Sequence, residues 1–175
     1  MIIWLNGPFG VGKTATVVEL LTLRPEAVVF DTEAIGFMLR DALGHALPAG
    51  DFQELRPWRR LTIAALGEIA DFLERDVIVP QSVLVERHWD EIQSGLVNSR
   101  LDCVAVTLHA EKRELERRID SDTIQSSARQ WRLDHREHYK MALPWLRAKT
   151  AVIDTTNRTP ETVARLVTEI ADSRR

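Results

Sequence analysis

A lysine and a threonine set directly after a run of glycines offer the first chemistry in this chain. Gly7-Pro8-Phe9-Gly10-Val11-Gly12-Lys13-Thr14 has the spacing G-x-x-x-x-G-K-[ST]. Glycines at those positions let successive backbone N–H groups turn inward around a phosphate. The helix that must follow adds the partial positive charge of its N-terminus. Lys13 then reaches the outer phosphates, and Thr14 offers a hydroxyl to Mg2+. Residues 7–14 are therefore expected to bind a nucleoside triphosphate, ATP in the first instance, together with Mg2+.

Moving a phosphoryl group off such a ligand needs a side chain that orients the receiving hydroxyl and takes its proton. Asp31 is the leading candidate. It follows a short apolar run and so falls at the carboxyl edge of the expected sheet, where open α/β folds gather ligands. Glu33 is a second carboxylate on the acceptor side, although an acid at a helix start also has an ordinary electrostatic explanation. The third apolar run ends Val79-Pro80-Gln81-Ser82, with no acid to organise a metal shell. Either Asp31 takes the metal role beside Thr14, which leaves the base unassigned, or Thr14, the phosphates and water suffice. Gln81 can both donate and accept toward an acceptor. Asp51, Phe52, Gln53, Trp58 and Arg59 are candidates to line an acceptor pocket. An aromatic face suits a base or sugar ring, and a guanidinium suits a pyrophosphate or carboxylate. Core packing is the plainer role for Trp58.

The stretch from His109 to Ile119 is dense in Glu and Arg, and Arg129, Arg132 and Arg136 follow in a polar run. This suits a helical lid over residues 111–142 whose arginines, Arg118 foremost and then Arg129 and Arg132, close on a triphosphate. Glu/Arg pairs on a solvated helix would give the same pattern. After the last apolar run, Thr155 and Asn157 are weaker candidates for nucleotide contacts, with capping of the final helix as the alternative.

These groups can act together only if strands deliver them to one edge. Five apolar runs, Ile2 to Asn6, Ala27 to Phe30, Asp76 to Pro80, Cys103 to Leu108 and Thr150 to Asp154, are mostly Val/Ile-rich without polar alternation, as strands buried on both faces are. Helical periodicity fills the gaps at Lys13 to Leu23, Ala34 to Leu43 and Pro57 to Glu74, again around Trp89, Ile92 and Leu96, and finally from Pro160. The expectation is an α/β fold with a five-stranded parallel sheet and flanking helices, in one domain over 1–175.

The 175 residues carry 23 Lys+Arg against 26 Asp+Glu, too little positive charge to favour nucleic acid as a partner. Cys103 is the lone cysteine, so an intramolecular disulfide is excluded. The start Met1-Ile2-Ile3-Trp4-Leu5 has no basic leader, and no apolar run approaches a membrane span. A cytoplasmic location is expected.

The layout resembles the nucleoside monophosphate and small-molecule kinases of the phosphate-loop class. That resemblance implies a lid after strand four and an acceptor-binding helical segment over about 34–73. Ile35-Gly36-Phe37-Met38-Leu39-Arg40 looks like the acceptor-side helix of adenylate kinases, which implies an acceptor role for Arg40. Trp4-Leu5-Asn6-Gly7 with Phe9-Gly10, Asp31 through Glu33 to Gly36-Phe37 and Leu39-Arg40, Asp51-Phe52-Gln53, Trp58-Arg59 and Ile78-Val79-Pro80 together resemble the bacterial tunicamycin resistance proteins. The resemblance implies ATP binding and resistance to a nucleoside antibiotic built of uracil, an unusual sugar, N-acetylglucosamine and a fatty acyl chain. Phosphorylation of one of its hydroxyls is the expected mechanism. A kinase acting on a nucleotide, sugar or metabolite and an ATP-gated binder that sequesters the antibiotic unchanged are the alternatives. Relatives of this type also imply peripheral membrane contact through an amphipathic final helix. Here the apolar stripe of that helix is what packing on a sheet requires, and Glu161, Glu169 and Asp172 flank it in place of a lysine-rich face, which favours core packing.

Overall fold

The structure, a computed structural model, describes residues 1–48, 50–121 and 129–175, with side chains described for all of these except 129–136. Five strands, β1 (Ile2–Asn6), β2 (Val28–Val29), β3 (Val77–Pro80), β4 (Cys103–His109) and β5 (Ala151–Asp154), form one sheet in the order β2-β3-β1-β4-β5. Every pairing is parallel. Among the described residues, seven helices connect or follow them: α1 (Lys13–Leu23), α2 (Glu33–Leu43), α3 (Arg56–Leu73), α4 (Glu86–Asn98), α5 (Lys112–Ser121), α6 (Arg129–Lys149) and α7 (Pro160–Asp172). Strand β1 is central, and the chain leaves it toward β3 and β2 before returning past it to β4 and β5. The crevice that such a reversal opens lies at the carboxyl ends of the strands.

The period of two in β1 divides the core. Ile3 and Leu5 face α1 and α7, joining Val17, Leu20, Val163 and Val167. Ile2 and Trp4 face the other layer, with Trp58 and Leu66 of α3 and Trp89, Ile92 and Leu96 of α4. Trp4, Trp58 and Trp89 are fully buried, and Trp4 meets Trp89 edge to face with centroids 5.5 Å apart. A smaller cluster of Leu84, Tyr139, Ala142 and Leu146 seats α6.

Two differences from expectation are local. Strand β2 shrinks to two residues, as suits an edge strand paired on one side only. Short 3-10 turns at Gly44–Ala46 and Phe52–Glu54 break the segment after α2. The apolar stripe of α7, as packing on the sheet requires, is covered by the core, with Val163, Ala164, Val167 and Ala171 buried. No helix among the described residues is long and apolar enough to cross a membrane.

Candidate functional site

The chain turns out of β1 directly into the glycine loop, where Gly7, Gly10 and Gly12 take φ of 133°, 77° and 103°. At Gly7 a Cβ would stand 2.4 Å from the Leu108 carbonyl oxygen, so the loop can lie against β4 only with glycine there. Buried side chains brace the bend. Asn6 Oδ1 accepts from the N–H groups of Gly7 (2.8 Å) and Val83 (2.9 Å), and Asn6 Nδ2 donates to the Val83 carbonyl at 2.9 Å. Ser82 Oγ donates to the Gly7 carbonyl at 2.7 Å. The Lys13 ammonium donates to the carbonyls of Gly7 (2.9 Å) and Pro8 (3.0 Å). No side chain caps α1, so its first N–H groups and the positive end of its dipole face the cleft.

Arg118 ties α5 to this loop and to the turn after β5. Its guanidinium donates to Glu114, to the Val11 carbonyl (2.9 Å), and to the Thr155 hydroxyl (3.0 Å) and carbonyl (2.9 Å). Glu114, which holds Arg117 and Arg118, has its carboxyl lowered to about 2 by those hydrogen bonds. The side chains of Arg129 and Arg132 lie outside the described residues.

Two cavities open on either side of the loop. One, of about 850 Å³, runs from residues 9–14 to Asp31, Glu33, Phe37, Arg40, Phe52 and Gln81. The other, of about 670 Å³, lies between α1, Arg117, Arg118 and the turn that carries Thr155, Asn157 and Arg158. The first joins the phosphate loop to the edge where β2 and β3 end. Asp31 Oδ1 accepts from the Glu33 N–H at 2.9 Å and so starts α2. Burial and the charges of Asp31 and Asp51 raise the Glu33 carboxyl, and Lys13 only partly offsets them. Among the described residues no three His, Cys, Asp or Glu converge as a metal cage. A hard divalent cation held mainly by phosphates and water needs no such cage. The Thr14 hydroxyl and the crowded Asp31 and Glu33 carboxylates on one cleft wall are the oxygen donors it favours.

On the acceptor wall the Phe52 ring lies so close to α2 that a Cβ on Gly36 would come within 2.4 Å of it. Phe37 meets Phe52 edge to face at 5.2 Å and keeps 53% of its surface exposed. The Arg40 guanidinium sits 4.2 Å above the Phe52 ring and donates to the Gly50 carbonyl at 2.8 Å. Gln81 is largely buried at the edge of this cavity, with Oε1 accepting from the Thr32 hydroxyl at 2.8 Å.

Three residues expected at the acceptor are turned elsewhere. Trp58 is fully buried and donates to the Thr32 carbonyl at 2.8 Å. Arg59 is 7% exposed, and it binds Glu91 and the Gln53 carbonyl, each at 2.6 Å. Gln53 is held by Asp51 and by the Leu84 N–H. All three brace the wall from behind and do not line the cleft. Phe37 was not singled out as a site residue, yet Glu33, Phe37 and Arg40 follow i, i+4, i+7, the stripe that one helix face presents. Asn6 belongs to the segment that carries the family resemblance, but neither its local sequence nor that of Ser82 marks it as a brace of the loop.

A central strand ending in a glycine loop, parallel neighbours on both sides and helices on both faces define the kinase-like fold of the phosphate-loop class. Solved structures agree. A sugar kinase from a Janibacter species has 16% identity over 98% of this chain and 94% of its own, with a TM-score of 0.66. A gluconokinase from Sinorhizobium meliloti has 20% identity over 98% and 91%, with a TM-score of 0.62. The tunicamycin resistance protein of Deinococcus radiodurans has 30% identity over 97% of this chain and 94% of its own, with a TM-score of 0.72. The chain belongs to the tunicamycin resistance protein family. No protein-family model and no curated protein matches it.

Proposed function

We propose that this chain binds ATP with Mg2+ at residues 7–14 and transfers the γ-phosphoryl group to a hydroxyl of tunicamycin or a similar nucleoside compound. The observation that carries this reading is the two-ended cleft. Loop amides, Lys13 and Thr14 stand at one end, and Asp31, Glu33 and a half-exposed Phe37 ring at the other. Family membership supports the antibiotic as acceptor.

Lys13 and the loop amides hold the β- and γ-phosphates, and Arg118 steadies the loop from outside. Arg129 and Arg132 are assigned to closure over the nucleotide. Arg40, Phe52 and Phe37 position the acceptor so that its hydroxyl oxygen bonds to the γ-phosphorus as the bond to the β–γ bridging oxygen breaks. ADP leaves with that electron pair, and Asp31 takes the hydroxyl proton. Mg2+, which Thr14 would hold together with the phosphates and water, would neutralise charge on the phosphates.

Mass spectrometry of tunicamycin incubated with the protein and MgATP tests transfer, with a gain of one phosphate as the expected result. One observation favours a second reading, an ATP-gated binder that sequesters the antibiotic. Strand β3 ends without an acid, and Gln81 beyond it is tied to Thr32. Tight binding with unchanged mass is the outcome that reading expects.

A further inference from the structure

The acceptor end of the cleft is unevenly charged. Asp31, Glu33 and Asp51 face it, and no hydrogen bond from the described residues reaches the Glu33 side chain. The cations nearby are committed elsewhere. Arg59, the guanidinium that sequence reasoning offered to an anionic acceptor, is buried against Glu91. Lys13 and Arg118 belong to the phosphate end, where a bound triphosphate adds negative charge of its own. Arg40 alone remains among the described residues, with its guanidinium on the Phe52 ring and the Gly50 carbonyl. The other surface on offer is the exposed ring of Phe37, which suits a flat or apolar group.

We infer that Glu33 and Asp51 make the acceptor end selective for uncharged, hydroxyl-bearing compounds with one flat or apolar face, and exclude phosphorylated or carboxylated ones. This rests on the two-ended cleft proposed above. It narrows that proposal, because it sets nucleoside monophosphates and sugar acids aside as acceptors. Like charges brought together in a partly desolvated cleft discriminate by repulsion, so Glu33 and Asp51 act against the wrong ligand and do not hold the right one.

The test is calorimetry on the full chain saturated with Mg2+ and the non-hydrolysable analogue AMPPNP. The probes are tunicamycin, uridine, uridine 5′-monophosphate, glucose and gluconate. Because no transfer occurs, a failure here is distinct from a failure of phosphorylation, which the mass measurement reads separately. The expected result is that tunicamycin binds and that each neutral probe that binds does so at least about tenfold more tightly than its anionic partner. Glu33→Gln should narrow that gap, and Glu33→Lys should close or invert it, while both keep the circular dichroism and melting behaviour of a folded protein. Three outcomes overturn the inference: an anionic probe binding as tightly as its neutral partner, a gap unmoved by both variants, or no heat from any probe.

Discussion

The two ends of the cleft are built on opposite principles. At the phosphate end the side chains that shape the loop already have protein partners: Asn6 and Ser82 hold the bend, Lys13 rests on its own loop carbonyls, and Arg118 clamps Val11 to Thr155. At the acceptor end three carboxylates crowd one another and a phenylalanine ring stands half in solvent. The first end is preorganised, its shape set before a ligand arrives. The second gathers like charges beside an exposed ring, so its specificity lies in what it repels.

Substitutions should separate the two ends. The largest effect is expected from Gly7→Ala, which drives a Cβ against the Leu108 carbonyl at a φ of 133°. Urea denaturation should show a loss of about 3–5 kcal/mol together with loss of nucleotide binding. Asn6→Ala strands the Gly7 and Val83 N–H groups in the interior, and the same measurement should show a loss of about 2–4 kcal/mol. Gly36→Ala overpacks the Phe52 ring for about 1–3 kcal/mol. It should weaken tunicamycin binding in calorimetry and leave ATP affinity near that of the parent chain, which is the sharpest separation of the two ends. Arg118→Ala should do the reverse, lowering ATP affinity by roughly tenfold through the loosened loop while tunicamycin affinity holds.

The smallest effect concerns pH. Because the Glu33 carboxyl is raised in the folded chain, its contribution to stability is fully present only at low pH and is lost as pH rises through the folded-state value. Glu33→Gln should therefore melt slightly above the parent chain at neutral pH, and the difference should vanish below the ordinary carboxylate range. A difference that grows on acidification would reverse the sign assigned to Glu33.

The phosphate end was legible in sequence because its function depends on local spacing. Glycines that need positive φ and a lysine at a helix start stand within eight consecutive residues. The strands were legible for a related reason, since burial on both faces leaves unbroken apolar runs such as Val77 to Val79. The acceptor wall was only partly legible, because composition shows that Trp58 and Arg59 occur near Phe52 but not which way α3 turns them. That is decided by tertiary partners, Thr32 for Trp58 and Glu91 for Arg59, which lie far away in the chain. Phe37 could have been found from the helical stripe that joins Glu33 to Arg40. The bracing roles of Asn6 and Ser82 could not, since the Val83 groups that Asn6 holds and the Gly7 carbonyl that Ser82 holds are brought beside them by the pairing of β1 with β3.

The central claim is that one cleft holds the triphosphate in the loop of residues 7–14 and the acceptor hydroxyl between that loop and Asp31. A crystal structure of the chain with Mg2+, AMPPNP and tunicamycin tests it most directly. The account predicts γ-phosphate oxygens on the loop amides and Lys13, with a tunicamycin hydroxyl facing the γ-phosphorus beside Asp31. Tunicamycin lodged instead in the cavity beside Asn157, or a triphosphate lying away from the glycine loop, would contradict it.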